Sequence, residues 1–302
     1  MHEETWGILI AVDLFFTGVG GGSFILSAMA SRRNGEGWET CSQGVALLAP
    51  LAIFVGLSML ILDLGYPLRF WMTLRTFNLH SPMSIGSWLL SLFAIVALLF
   101  ALYWLPASVR TRIPWVGTLT IWKKVRWRNR LGMIGTVLAV GVCVYTGVLL
   151  SATVIPLWRS LSLAVLFLLS AITTGFAGGG MVMLCLSKKM NSDIMAGSFQ
   201  FIRRSYRIVL PFYLLVALGF SLWPTLIPGP SPASNTLTGG WSGLVWWFGV
   251  MGVGWLVPYI LVLKARAIPL RQTWVLFGCL LIGGFLLRFV LVIGGQSTFP
   301  PP

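Results

Sequence analysis

The chain has 302 residues, of which 57% are hydrophobic and only 9% charged, against about 45–50% and about 25% in an ordinary soluble domain. That composition excludes a soluble, a disordered and a nucleic-acid-binding protein, and leaves a polytopic membrane protein. The net charge of +14 then reports topology rather than a polyanionic partner.

Eight stretches reach the roughly 20 apolar residues that a membrane crossing requires. They lie near 7–30, 44–66, 84–105, 131–153, 159–187, 207–223, 242–264 and 273–293. The first opens with Glu3 and Glu4 instead of a basic segment, and is too long for a cleaved signal. It carries Asp13 between Val12 and Leu14, then Gly20-Gly21-Gly22. The second ends near Asp63, followed by Gly65, Pro67 and Arg69; His80, Ser81 and Ser84 lead into the third. The segment Trp122–Arg130 interleaves Trp with Lys and Arg, which predicts a helix lying at an anionic membrane surface. Tyr145 lies in the fourth span, Arg159 opens the fifth, and Gly178-Gly179-Gly180 lies within the fifth. A polar turn region covers Pro228–Gly240; Arg288 and Gln296 close the last span.

Eight crossings put both termini on one side. The loops of the opposite side hold 17 of the 21 basic residues; only Arg69, Arg75, Arg159 and Arg288 are on the terminal side. The positive-inside bias predicts that both termini are extracytoplasmic. Two glycine triplets, each followed by a basic pair (Arg32-Arg33 and Lys188-Lys189), suggest a parallel repeat. The expected organisation is one integral domain, 1–302, with halves 1–153 and 154–302. Close helix packing through glycine is the plainer reading of the triplets.

The chain has two histidines, His2 and His80, both on the terminal side and neither central in a span. A bis-His haem would consume both, so a transmembrane cytochrome b is not expected. Four cysteines (Cys41, Cys143, Cys185, Cys279) form no CxxC pair, so no metal site is expected in the chain. Redox chemistry would need a diffusible cofactor or a partner's centres.

Charges inside a membrane point to function, and here they share a side. Asp13, Asp63, His80, Tyr145 and Arg288 all fall toward the terminal face. Each has an ordinary use: Asp63 could cap a helix or pair with Arg69, and Arg69 and Arg75 could snorkel to the interface. Together they are the parts of a site that binds a lipid-soluble quinone. Its carbonyls need hydrogen-bond donors, and its quinol needs proton acceptors. Asp13, His80 and Tyr145 are the candidates for that chemistry. Asp63, Arg69, Ser81 and Ser84 would line the site, with Arg159, Arg288 and Gln296 as charge or proton partners.

Certain strings resemble the NrfD/PsrC family of membrane subunits. They are Asp63-Leu-Gly-Tyr-Pro-Leu-Arg69-Phe-Trp71, Ser81-Pro-Met-Ser84-Ile-Gly86-Ser-Trp88, Tyr145-Thr-Gly147-Val-Leu-Leu-Ser151, Pro156-Leu-Trp158 and Arg288-Phe-Val-Leu-Val-Ile-Gly294-Gly295-Gln296. The glycine-rich first span fits as well. The resemblance implies an all-α membrane fold of eight or more helices in two four-helix bundles, without haem or metal. It implies a quinone, usually menaquinone, bound near the outer face of a bacterial or archaeal cytoplasmic membrane. It also implies a ferredoxin-like partner with several Fe–S clusters, often with a molybdopterin-containing catalytic subunit. Some members carry His or Asn in the first helix where this protein has Asp13. On its own the protein would not turn over the terminal substrate. Two other readings stand beside this one: a secondary transporter, which would place polar groups near the midplane, and a structural anchor without a quinone site.

Overall fold

The computed structural model describes residues 6–33, 36–64, 66–69, 71–75, 78, 81–105, 125–153, 155–186, 192–226, 236–264 and 269–296. Among these residues all regular structure is helical. Eight helices are long and apolar enough to cross a membrane: α1 (Ile8–Ser31), α2 (Cys41–Asp63), α3 (Pro82–Tyr103), α4 (Val125–Ser151), α5 (Ser162–Leu186), α6 (Gly197–Trp223), α7 (Gly240–Lys264) and α8 (Leu270–Gly294). All eight expected spans are present. A bilayer offers no water to backbone N–H and C=O groups, so continuous helix is the expected solution.

Local sequence sets the helix ends and irregularities. Glu36–Ala46 and Leu48–Asp63 meet at the single turn residue Leu47. Pro50 accounts for the break: it has no N–H to donate to residue 46, and is tolerated in the first turn of a fresh helix. Ser81 caps α3, its hydroxyl accepting the Ser84 N–H at 3.4 Å, with Pro82 as the first helical residue. In α7, Val245–Leu256 is wound as a π-helix, and the Val257 N–H reaches back five residues to the Gly252 carbonyl. Pro258 follows at once, so the carbonyl of Gly254 has no α-type donor.

Two expectations are corrected. The sixth crossing begins at Gly197, not 207. Arg203, Arg204 and Arg207 depress the hydropathy of its first turns, yet nothing breaks the helix, which runs unbroken over Ser192–Leu226. Residues 125–130 are the first turns of α4, not a separate surface helix. No Pro stands between Val125 and the apolar run from Leu131, and backbone hydrogen bonding carries the helix through. Trp122, Lys123 and Lys124 lie outside the described residues.

The helices pack in a cyclic pattern that occurs twice. In α1–α4 the neighbours are α1 with α2, α2 with α3, α3 with α4 and α4 with α1. In α5–α8 the same order holds, and α1 meets α5 and α8 while α4 meets α5. The central pair α1 and α5 comes together through glycine. A Cβ on Gly22 would collide with the Ala171 carbonyl, and one on Gly175 with the backbone of Gly22. Small residues supply van der Waals contact where lipid gives helices no hydrophobic reason to associate. The helix faces away from the bundle carry apolar side chains such as Val137, Leu215 and Phe248.

The N- and C-terminal ends of the helical body meet. The Trp6 N–H donates to Gln296 Oε1 at 2.8 Å, and Gln296 Nε2 returns a bond to the Trp6 carbonyl at 2.8 Å. This places the start of α1 and the end of α8 at one end of the bundle.

Candidate functional site

The polar residues of the first bundle lie at one level below that end. At about 1.5 Å of rise per residue, Asp13 is about 8 Å in from the start of α1. Tyr145 is about 9 Å from the end of α4, and Gly86 about 6 Å from the start of α3.

Asp13 is buried at 7% exposure, and Thr17, one turn on, donates to its Oδ1 at 3.1 Å. Its carboxyl faces α2 where that helix has Gly56: a Cβ there would stand 2.8 Å from Asp13 Oδ1 and 3.0 Å from Thr17 Oγ1. No cation pairs with Asp13 among the described residues. A buried carboxyl with one hydroxyl donor has spare capacity to exchange a proton or accept a further hydrogen bond.

Tyr145 is half-buried and lies within electrostatic range of Asp13. Its ring and hydroxyl lie on Gly86 of α3, where a Cβ would overlap the ring. The hydroxyl makes no hydrogen bond to any described residue. The site therefore pairs a phenolic donor, unbonded to any described residue, with a buried carboxyl among apolar helices. Among the described residues no three His, Cys, Asp or Glu side chains could share a metal ion.

The other candidates are placed as follows. Asp63 is exposed at the end of α2, with Oδ1 3.6 Å from where a Gly7 Cβ would stand. A carboxylate there faces the positive end of the α1 dipole, in a helix with no side-chain cap. Arg69 lies over the Tyr66 ring, 5.2 Å from the centroid; the expected Asp63–Arg69 pair is not among the contacts of its guanidinium. Ser81 and Ser84 serve the α3 entrance: Ser84 Oγ also accepts the Asn78 N–H at 3.0 Å. Arg159 is exposed beyond the short turn Pro156–Trp158. Gln296 is committed to the clamp with Trp6. His80 falls outside the described residues.

Arg288 is 1% exposed and belongs to the seam between the bundles. Its Nε donates to the Leu14 carbonyl at 2.9 Å, and Nη1 donates to Ser170 Oγ at 3.0 Å and the Gly284 carbonyl at 2.8 Å. The rings of Phe15 and Phe167 flank it at 5.9 and 5.3 Å. Gly18 leaves room for Nη2. The cation thus staples α8 to α1 and α5 through neutral acceptors; its acceptor Leu14 adjoins Asp13 but lies on another flank of α1. Thr17, Gly18 and Gly56 were not singled out from sequence. The i, i+4 spacing of Asp13 and Thr17 was the available signal for the first.

The family model for polysulphide reductase, NrfD, matches residues 2–300. The protein belongs to the NrfD family. It is 30% identical to the C subunit of the polysulfide reductase of Wolinella succinogenes, over 98% of this sequence and 96% of that one. It is 29% identical to protein NrfD of Escherichia coli, over 98% and 97%. It is also similar, at 27% identity over 99% of this sequence and 72% of the other, to an Hdr-like menaquinol oxidoreductase integral membrane subunit of Archaeoglobus fulgidus. The protein is thus a multi-pass membrane protein of the NrfD family.

Proposed function

We propose that this protein binds quinol or quinone among α1–α4 and exchanges its electrons with an Fe–S partner subunit at the end where Trp6 and Gln296 meet. The observation that carries this is the half-buried Tyr145 hydroxyl, without a hydrogen bond to any described residue, within electrostatic range of buried Asp13. The relative whose name includes menaquinol oxidoreductase supports the substrate class and favours menaquinone. The bias of basic residues to the opposite end supports an extracytoplasmic location for the site and both termini, in a bacterial or archaeal cytoplasmic membrane.

Quinol oxidation releases two electrons and two protons. Tyr145 donates a hydrogen bond to one headgroup oxygen and fixes its orientation. Asp13, held by Thr17, accepts one of the two protons, and the second leaves to water at the end where Trp6 and Gln296 meet. The electrons go to a ferredoxin-like subunit with several clusters and on to a catalytic subunit of molybdopterin type. The membrane subunit supplies position and proton handling rather than a redox centre.

The test is Tyr145→Phe in the assembled complex. Losing one hydrogen bond to the headgroup should lower quinol turnover about tenfold, with normal assembly. Wild-type turnover in the assembled variant would remove Tyr145 from the mechanism. Complex isolated through a tag on this subunit should carry iron and acid-labile sulfide; iron-free protein would contradict the partner.

A further inference from the structure

The basic end of the bundle holds a second set of preorganised groups, distant from Asp13 and Tyr145. Arg33 follows the last turn of α1. Its guanidinium lies 4.3 Å from the ring centroid of Phe201 on α6 and 4.8 Å from that of Trp38, in the helix leading to α2. The two rings meet edge to face at 5.7 Å. Their cation–π contacts hold the guanidinium in place. Its N–H donors, however, make no bond to any described residue, and the side chain is exposed. A held guanidinium with free donors matches a phosphate, which it can bind bidentately.

The helix that carries Phe201 offers a second guanidinium one turn further on. Arg204 is one turn after Phe201 on the same face of α6, exposed and without a partner among the described residues. Below Arg204 that face continues with Ile208, Phe212 and Leu215, at 57%, 60% and 70% exposure. From Arg204 to Leu215 the helix descends about 16 Å. One leaflet of a hydrocarbon core about 30 Å thick measures about the same. The stripe thus matches an acyl tail in length, directly beneath the two cations.

We propose that Arg33 and Arg204 clamp the phosphate of an anionic glycerophospholipid whose acyl tail lies along Ile208, Phe212 and Leu215. A water-soluble phosphate would use the cations and leave the stripe idle. The helix C-terminus of α1 also favours Arg33, but that role needs neither the aromatic clamp nor Arg204.

Native mass spectrometry of the intact complex, delipidated in mild detergent and titrated with dioleoyl lipids, tests this. Wild type should retain phosphatidylglycerol at least tenfold better than phosphatidylcholine. At about fivefold per cation near a headgroup, Arg33→Gln with Arg204→Gln should weaken phosphatidylglycerol binding about 25-fold. Arg126→Gln with Arg130→Gln removes equal charge from the same end and should change it little. Equal retention of the two lipids by wild type, or equal loss in the two double variants, would overturn the proposal. So would displacement of the lipid by inorganic phosphate at equal concentration. If the first double variant fails to accumulate, the wild-type comparison of the two lipids still decides.

Discussion

Gly86→Ala places one methyl group where the Tyr145 ring now lies. The new Cβ would overlap Cζ, Cε1 and the hydroxyl oxygen, whereas ordinary contact begins at 3.4 Å. The ring must therefore retreat by about 1 Å or more. A displacement of about 1 Å in a positioning group costs about 10²-fold in rate, and overpacking costs about 1–3 kcal/mol in stability. Quinol oxidation by the purified complex should fall about 10²-fold, with assembly retained and a lowered Tm. The two effects separate in a double-mutant cycle. In a Tyr145→Ala background the methyl meets no ring, so the stability cost of Gly86→Ala should vanish. Unchanged turnover in Gly86→Ala, or an equal stability penalty with and without the ring, would refute the reasoning.

Asp13→Asn keeps the shape and the acceptor for Thr17 but cannot take up a proton. Turnover should fall about 10²-fold or more, with kcat lost more than KM; steady-state kinetics with a soluble quinol decides. Gly175→Leu drives a side chain into the backbone of Gly22 and should abolish accumulation in the membrane, read by immunoblot. Gly219→Leu, where an added Cβ meets nothing within 4 Å, should accumulate normally.

The eight crossings were legible because the bilayer fixes both length and composition, and all eight lie near the places their hydropathy indicates. Boundaries were lost where charge and helix coexist. Arg203, Arg204 and Arg207 hid the first turns of α6, and the Trp and Lys/Arg pattern before Leu131 read as a separate surface helix. Asp13 was legible because a lone carboxyl in an apolar run needs a reason. Its surroundings were not, since Thr17 and Gly56 are ordinary residues in a membrane helix until the facing helix is known. Arg288 was legible as an anomaly. Its ligands, the Leu14 and Gly284 carbonyls and Ser170, come from three helices far apart in sequence. Side-chain type alone did not show that Gln296 clamps Trp6 or that Ser81 caps α3.

The most direct measurement of the central claim is labelling of the intact complex with a photoreactive quinone, with attachment sites mapped by peptide mass spectrometry. The account predicts labels in α1 near Asp13 and in α4 near Tyr145, suppressed by excess menaquinone. Labels confined to α5–α8, or labels that menaquinone does not suppress, would contradict it.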